Sequence, residues 1–123
     1  MKDRIEKMAH EVQNIQKEYA AAMQGMKGLQ SQLTENQLVK QELDQLEEGS
    51  KVYKLIGPVL TPQDADDAKS TVQTRIDFIS KELANARTKL EGLEKTQQTK
   101  RVALVTEEKK FQALVQQTAA QKQ

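Results

Sequence analysis

The only imidazole in the chain is His10, and there is no cysteine. A zinc site draws several ligands from thiolates, imidazoles and carboxylates. A lone histidine on an outward helical position therefore reads as a water-facing residue, and no metal is expected. Glu47-Glu48 and the trio Asp64, Asp66 and Asp67 are acidic neighbours. They fall at expected helix ends, where solvated carboxylates fit better than a general acid/base pair, which needs an enclosing pocket. Gly25-Met26-Lys27-Gly28 lacks the spacing of a phosphate-binding loop and lies inside a helical stripe. Ser50, Ser70 and Ser80 have no accompanying base. No catalytic residue and no cofactor are expected, and the chain reads as a non-enzyme.

Composition points the same way. The 123 residues are 37% hydrophobic, 3% aromatic and 30% charged, with no Trp. So few large apolar side chains ill suit a compact globule, whereas abundant Gln, Lys, Glu, Ala and Leu suit long amphipathic helices. Nineteen basic and 18 acidic residues are mixed along the chain. No basic block is present to neutralise a row of phosphates, so nucleic acid is not an expected partner. No apolar run approaches the roughly 20 residues that span a bilayer. The N-terminal MKDRIEKMAHEV lacks the apolar core of a signal peptide. With no cysteine to favour an oxidising compartment, a cytoplasmic location is expected.

From Ile5 the apolar residues step by three and four: Ile5, Met8, Val12, Ile15, Tyr19, Ala22, Met26, Leu29, Leu33. That unbroken a/d stripe predicts a coiled-coil helix over about 1–48. Beyond it, Leu33, Asn36, Val39, Leu43 and Leu46 imply two successive steps of three, a stammer that would overwind the supercoil. Gly49-Ser50 is expected to end the helix, with Gly49 as a left-handed cap.

The segment KVYKLIGPVLT reads as a short β-hairpin over about 51–61. Val52, Tyr53, Leu55 and Ile56 favour strand, Gly57-Pro58 supplies a turn, and Val59-Leu60 resumes the apolar run. An isolated hairpin is marginal in water, and the chain offers no further strand. Other chains must supply one. A second helix is expected over about 62–121, opened by Thr61 as N-cap, Pro62 at the first helical position and Asp64 near the positive dipole end. Its stripe runs Val72, Ile76, Ile79, Leu83, Ala86, Leu90, Leu93, Gln97, Lys100, Leu104, Glu107, Phe111, Leu114. The terminal TAAQKQ is expected to fray.

Folded back at the hairpin, the two stripes match at one offset. Ile5 meets Leu114, Met8 meets Phe111, Ile15 meets Leu104, Leu33 meets Ala86, and Leu43 meets Ile76. The expected fold class is mainly α: a long antiparallel two-helix coiled coil joined by a short β-hairpin, one domain over 1–123. Each arm would measure about 60–70 Å at 1.5 Å per residue. Val12 with Glu107, Tyr19 with Lys100 and Ala22 with Gln97 make poor layers. Either these soften the half remote from the hairpin, together with Gly25 and Gly28, or they fix register. Leu38 and Phe78 lie off the seam near the hairpin, and Val39 lies beside the stammer. With the hairpin side chains they form an apolar patch that nothing within the chain covers.

The order helix, hairpin, helix, with QLTENQLVKQEL followed by VYKLIGPVL, resembles the β-class subunits of the prefoldin family. The resemblance covers essentially the whole chain. It implies a hetero-hexamer of α- and β-class subunits that pool their hairpins into an intersubunit β-barrel platform. It also implies an ATP-independent holdase chaperone whose coiled-coil tips hold unfolded proteins, actin and tubulin among them, for a group II chaperonin. On this chain the subunit-assembly residues would be Leu38, Val39, Val52, Tyr53, Leu55, Ile56, Gly57, Pro58, Val59, Leu60 and Phe78. The client-binding tip would comprise Met1, Ile5, Met8, Phe111, Leu114 and Val115. From the residues alone, Met8, Phe111 and Leu114 simply finish the seam with Val115 incidentally exposed, and it is the resemblance that sets client binding level with that reading. A tether binding a folded partner is the alternative function, although a tether would more naturally use a polar loop than an apolar strand pair. Mixed charges argue against membrane-surface binding.

Overall fold

The computed structural model describes residues 2–47 and 49–121. Its elements are α1 (Lys2–Asp44), β1 (Val52–Ile56), β2 (Val59–Gln63) and α2 (Ala65–Gln121). The chain divides into two compact units, one of Gly25–Ala86 and one of Met1–Gln24 with Arg87–Gln123.

In the unit of Gly25–Ala86, the parts of α1 and α2 nearest the hairpin bury Leu33, Leu43, Ala68, Val72, Ile76, Ile79 and Leu83 as one cluster. Met26, Leu29 and Val52 pack against it. The cluster follows from spacing: steps of three and four bring one apolar row of each helix to face the other. The deepest side chain, Leu83, retains 4% exposure. Two helices cover each other on one side only, so the layer is thin.

The burial pattern corrects the expected stammer. Val39 is exposed, whereas Lys40 is half-buried between Asn36 and Leu43. The inward row is therefore Leu33, Asn36, Lys40, Leu43, which keeps the ordinary alternation of steps. A long lysine side chain tolerates such a position, because its aliphatic stem can cover apolar surface while the ammonium stays in water. Helix α1 also stops at Asp44, before Glu48 and Gly49. Its last turn carries acids and no base, which opposes the negative end of the helix dipole. Gln45 N–H donates to the Gln41 and Glu42 carbonyls, and Leu46 N–H to that of Leu43, tightening the end. Gly49 takes φ +87°, as expected, but in a separate turn closed by Ser50 N–H donating to Glu47 C=O.

Strands β1 and β2 pair antiparallel, with Ile56 opposite Val59 and Val52 opposite Gln63. The two-residue connection has Gly57 at φ +57°, and the ring of Pro58 holds its φ negative. A positive value followed by a negative one is the pattern of a type II′ turn, whose twist matches the strands. The second helix starts later than expected. Thr61 and Pro62 belong to β2, and Asp64 is the N-cap: its Oδ1 accepts from Asp66 N–H at 2.8 Å and its C=O from Ala68 N–H at 3.0 Å. An Asp at this position satisfies donors that the first turn leaves free.

In the other unit the helices also run antiparallel, because ion pairs join Arg4 to Glu107 and Glu11 to Lys100, rising along α1 while falling along α2. Val12 and Leu90 are its buried residues, and Ile5, Met8, Ile15, Tyr19, Leu93, Leu104 and Phe111 are half-buried along the seam. Helix α2 continues through Thr118–Gln121, where fraying was expected.

Candidate interaction surfaces

Register alone determines which hairpin side chains share a face. Directly opposed residues point the same way and successive residues alternate. One face carries Val52, Lys54, Ile56, Val59, Thr61 and Gln63, and the other carries Tyr53, Leu55, Leu60 and Pro62. Of the apolar residues only Val52 is covered, by the core cluster. Tyr53, Leu55, Ile56, Val59 and Leu60 are all exposed, Leu55 by 68%. No described strand flanks either edge. A sheet with exposed apolar side chains on each face and two open edges calls for strands from elsewhere.

In a two-residue hairpin the residues flanking the turn exchange both hydrogen bonds, and bonding then alternates outward. Ile56–Val59, Lys54–Thr61 and Val52–Gln63 are thus the bonded pairs. Leu55–Leu60 and Tyr53–Pro62 turn their backbone groups to the outside. Pro62, which lacks an N–H, sits where no bond within the hairpin is lost.

Val39 and Phe78, both exposed near the hairpin, line different hollows. Val39 meets Val52, Tyr53, Lys54 and Leu55 along a cleft of about 320 Å³ beneath β1. Phe78, 63% exposed, belongs to a groove of about 480 Å³ that it lines with Gln32, Asn36, Thr74 and Ile79. Arg75 lines both. Leu38 is exposed and lines neither of them.

Among the tip residues, Ile5, Met8 and Phe111 are half-buried in seam positions. Leu114 and Val115 are exposed. Met1 lies outside the described residues. Sequence reasoning passed over Val102 and Val105, exposed on α2. Both fall off the seam stripe, so a helical projection of all apolar residues, rather than of the stripe, would have found them. Two of the three poor seam positions on α2 are not left bare. Lys100 Nζ reaches Glu11 Oε2 at 3.2 Å, and Glu107 Oε1 lies 3.7 Å from Arg4 and 3.9 Å from Lys110. His10 is exposed, and no cluster of potential metal ligands occurs among the described residues. No described helix is long and apolar enough to cross a membrane.

Two long helices that present an uncovered apolar hairpin define a subunit built to be completed by association. Comparison with known proteins gives that class its family. The profile of the prefoldin subunit family (Prefoldin_2) matches residues 6–117. Prefoldin subunit 6 of Mus musculus is 38% identical over 100 residues, covering 81% of this chain and 79% of the relative. Prefoldin subunit 6 of Arabidopsis thaliana is 40% identical over 110 residues, covering 89% and 85%. The crystal structure of the prefoldin beta subunit from Thermococcus strain KS-1 superposes with a TM-score of 0.79 at 17% identity, covering 84% of this chain and 90% of that one. The chain belongs to the prefoldin family, whose subunits are chaperone components and not enzymes.

Proposed function

We propose that the chain is a β-class subunit of a hetero-hexameric, ATP-independent holdase in the cytoplasm, acting as one prefoldin-like domain over 1–123. Its hairpin joins those of α- and β-class siblings in a β-barrel platform. The helix ends remote from the hairpin hold unfolded polypeptides of the actin and tubulin kind and pass them to a group II chaperonin. The observation that carries this reading is the hairpin itself, apolar on both faces and open on both edges. A single hairpin fits the β class, and the subunit 6 relatives support the assignment. For client binding, the exposed Leu114 and Val115, near half-buried Phe111 on α2, and half-buried Met8 on α1 offer adaptable apolar surface that a last helical turn could open further.

Co-expression with the sibling subunits of the same genome, followed by native mass spectrometry, tests assembly. The expected product is a hexamer containing one copy of this chain. A stable homodimer that ignores the siblings would favour a tether instead. The reconstituted hexamer should then suppress aggregation of denatured actin without ATP, and a chain truncated after Lys110 should assemble yet suppress less.

A further inference from the structure

The cleft beneath β1 has chemistry that the hairpin as a whole does not. Apolar Val39, Leu43 and Val72 line it together with Lys54 and Arg75, and no acidic side chain is among the lining residues. Both cations are exposed, and neither forms an ion pair among the described residues. Strand β1 contributes Val52, Tyr53, Lys54 and Leu55 to the lining, and its outer edge has no partner among the described strands. Tyr53 and Leu55 there turn out two N–H and two C=O groups, whereas the outer edge of β2 offers one N–H fewer because Pro62 has none.

We propose that this cleft and the β1 edge together form a strand-docking site selective for one kind of sibling strand: apolar, acidic, apolar in succession. The inference rests on the assembly reading above and specifies the partner at that surface. A strand added to β1 presents alternate residues to alternate faces. Its residue beside Lys54 shares the face of Lys54 and is the acid, next to a cleft that Arg75 also lines. Its neighbours on either side fall with Tyr53 and Leu55 and are apolar. Backbone bonds give such docking affinity for any strand. The two unpaired cations discriminate among strands, since a basic or neutral residue there leaves them unmatched.

Competitive co-expression with the sibling subunits, read by native mass spectrometry, tests the site. Lys54→Glu with Arg75→Glu should lower incorporation about tenfold relative to wild type, as charge mismatch at an interface does. Lys54→Gln with Arg75→Gln should fall between the two. Lys81→Glu, on α2 but outside the cleft, should incorporate normally. Wild-type-like incorporation of the double Glu variant overturns the proposal. Should that variant lose helical content by circular dichroism, the double Gln variant decides: reduced incorporation supports the site and full incorporation overturns it. Leu55→Asp separates the two layers of inference. If it too incorporates normally, the assembly reading falls and takes this site with it. If it is excluded while the double Glu variant enters freely, only the selective cleft is lost.

Discussion

Lys100 donates from Nζ to Oε2 of Glu11 at 3.2 Å, although 89 residues separate them in sequence. Lys100 occupies a seam position of α2, where an apolar residue would pack. Its long stem lets the ammonium leave the seam and meet a carboxylate of the facing helix. The same device serves Glu107, whose side chain is only 13% exposed and which lies near Arg4 and Lys110. What looks in sequence like a weak stretch of coiled coil is thus a stretch where polar contacts between facing helices replace apolar layers.

Reversing one charge of the Glu11–Lys100 pair should destabilise the protein, and reversing both should restore it. Both side chains are more than a third exposed, so the coupling expected from a double-mutant cycle is about 0.2–1 kcal/mol and shrinks at high salt. Thermal melts of Lys100→Glu, Glu11→Lys and the combined variant measure it. A combined variant no more stable than the sum of its parts would dissolve the pair.

Glu107→Leu should stabilise the helix pair. The side chain is already largely withdrawn from water, at 13% exposure. An apolar side chain there adds about 1–2 kcal/mol of burial and loses ion pairs of small worth. The midpoint of chemical denaturation should rise, and a fall would mean that Glu107 is essential to register.

Gly25→Ala and Gly28→Ala should each stabilise α1 by up to about 1 kcal/mol, the helix-propensity difference between the two residues. A Cβ at either position meets nothing within 4 Å, so no packing cost opposes the gain. An increase in melting temperature for the double variant, with assembly unchanged, is the expected outcome.

Tyr53→Asp should block entry into the hexamer while leaving helical content intact. Tyr53 is exposed in the isolated chain, so its replacement costs the monomer little, whereas a carboxylate buried in a barrel is strongly unfavourable. Normal hexamer yield in native mass spectrometry would remove the hairpin from the interface.

Leu114→Ser with Val115→Ser should leave assembly and melting temperature nearly unchanged, because both side chains are exposed. Suppression of actin aggregation by the reconstituted hexamer should weaken severalfold, each side chain having offered about 1.5–3 kcal/mol of burial to a client. Unaltered suppression would move client contact away from this end.

The order helix, hairpin, helix was readable because each element repeats its signal. Many residues of α1 and α2 keep to one stripe, and Val52–Ile56 and Val59–Leu60 bracket a turn pair with almost no competing interpretation. Boundaries were not readable to the same degree. Thr61-Pro62-Gln63-Asp64 opens a helix equally well from Thr61 or from Asp64, and only the strand register, which carries pairing out to Val52–Gln63, settles it. Val39 and Lys40 show the same limit. Hydrophobicity favours Val39 as the inward residue, but continuity of the helical phase turns Lys40 in.

By itself, then, the sequence determined periodicity and strand propensity, since both are local or additive along the chain, but not the offset: Arg4–Glu107 and Glu11–Lys100 face each other about one heptad away from the expected match, which set Glu107 against Val12 and Lys100 against Tyr19. Tertiary structure alone decided that Lys100 reaches Glu11 and Glu107 reaches Arg4, that Phe78 and Val39 line separate hollows both bordered by Arg75, and that exposed apolar side chains remain on both faces of the hairpin. Those outcomes depend on where side chains distant in sequence end in space. A pattern of residue types specifies which faces turn inward, while the reach of each side chain and the company it meets exist only once the backbone has folded.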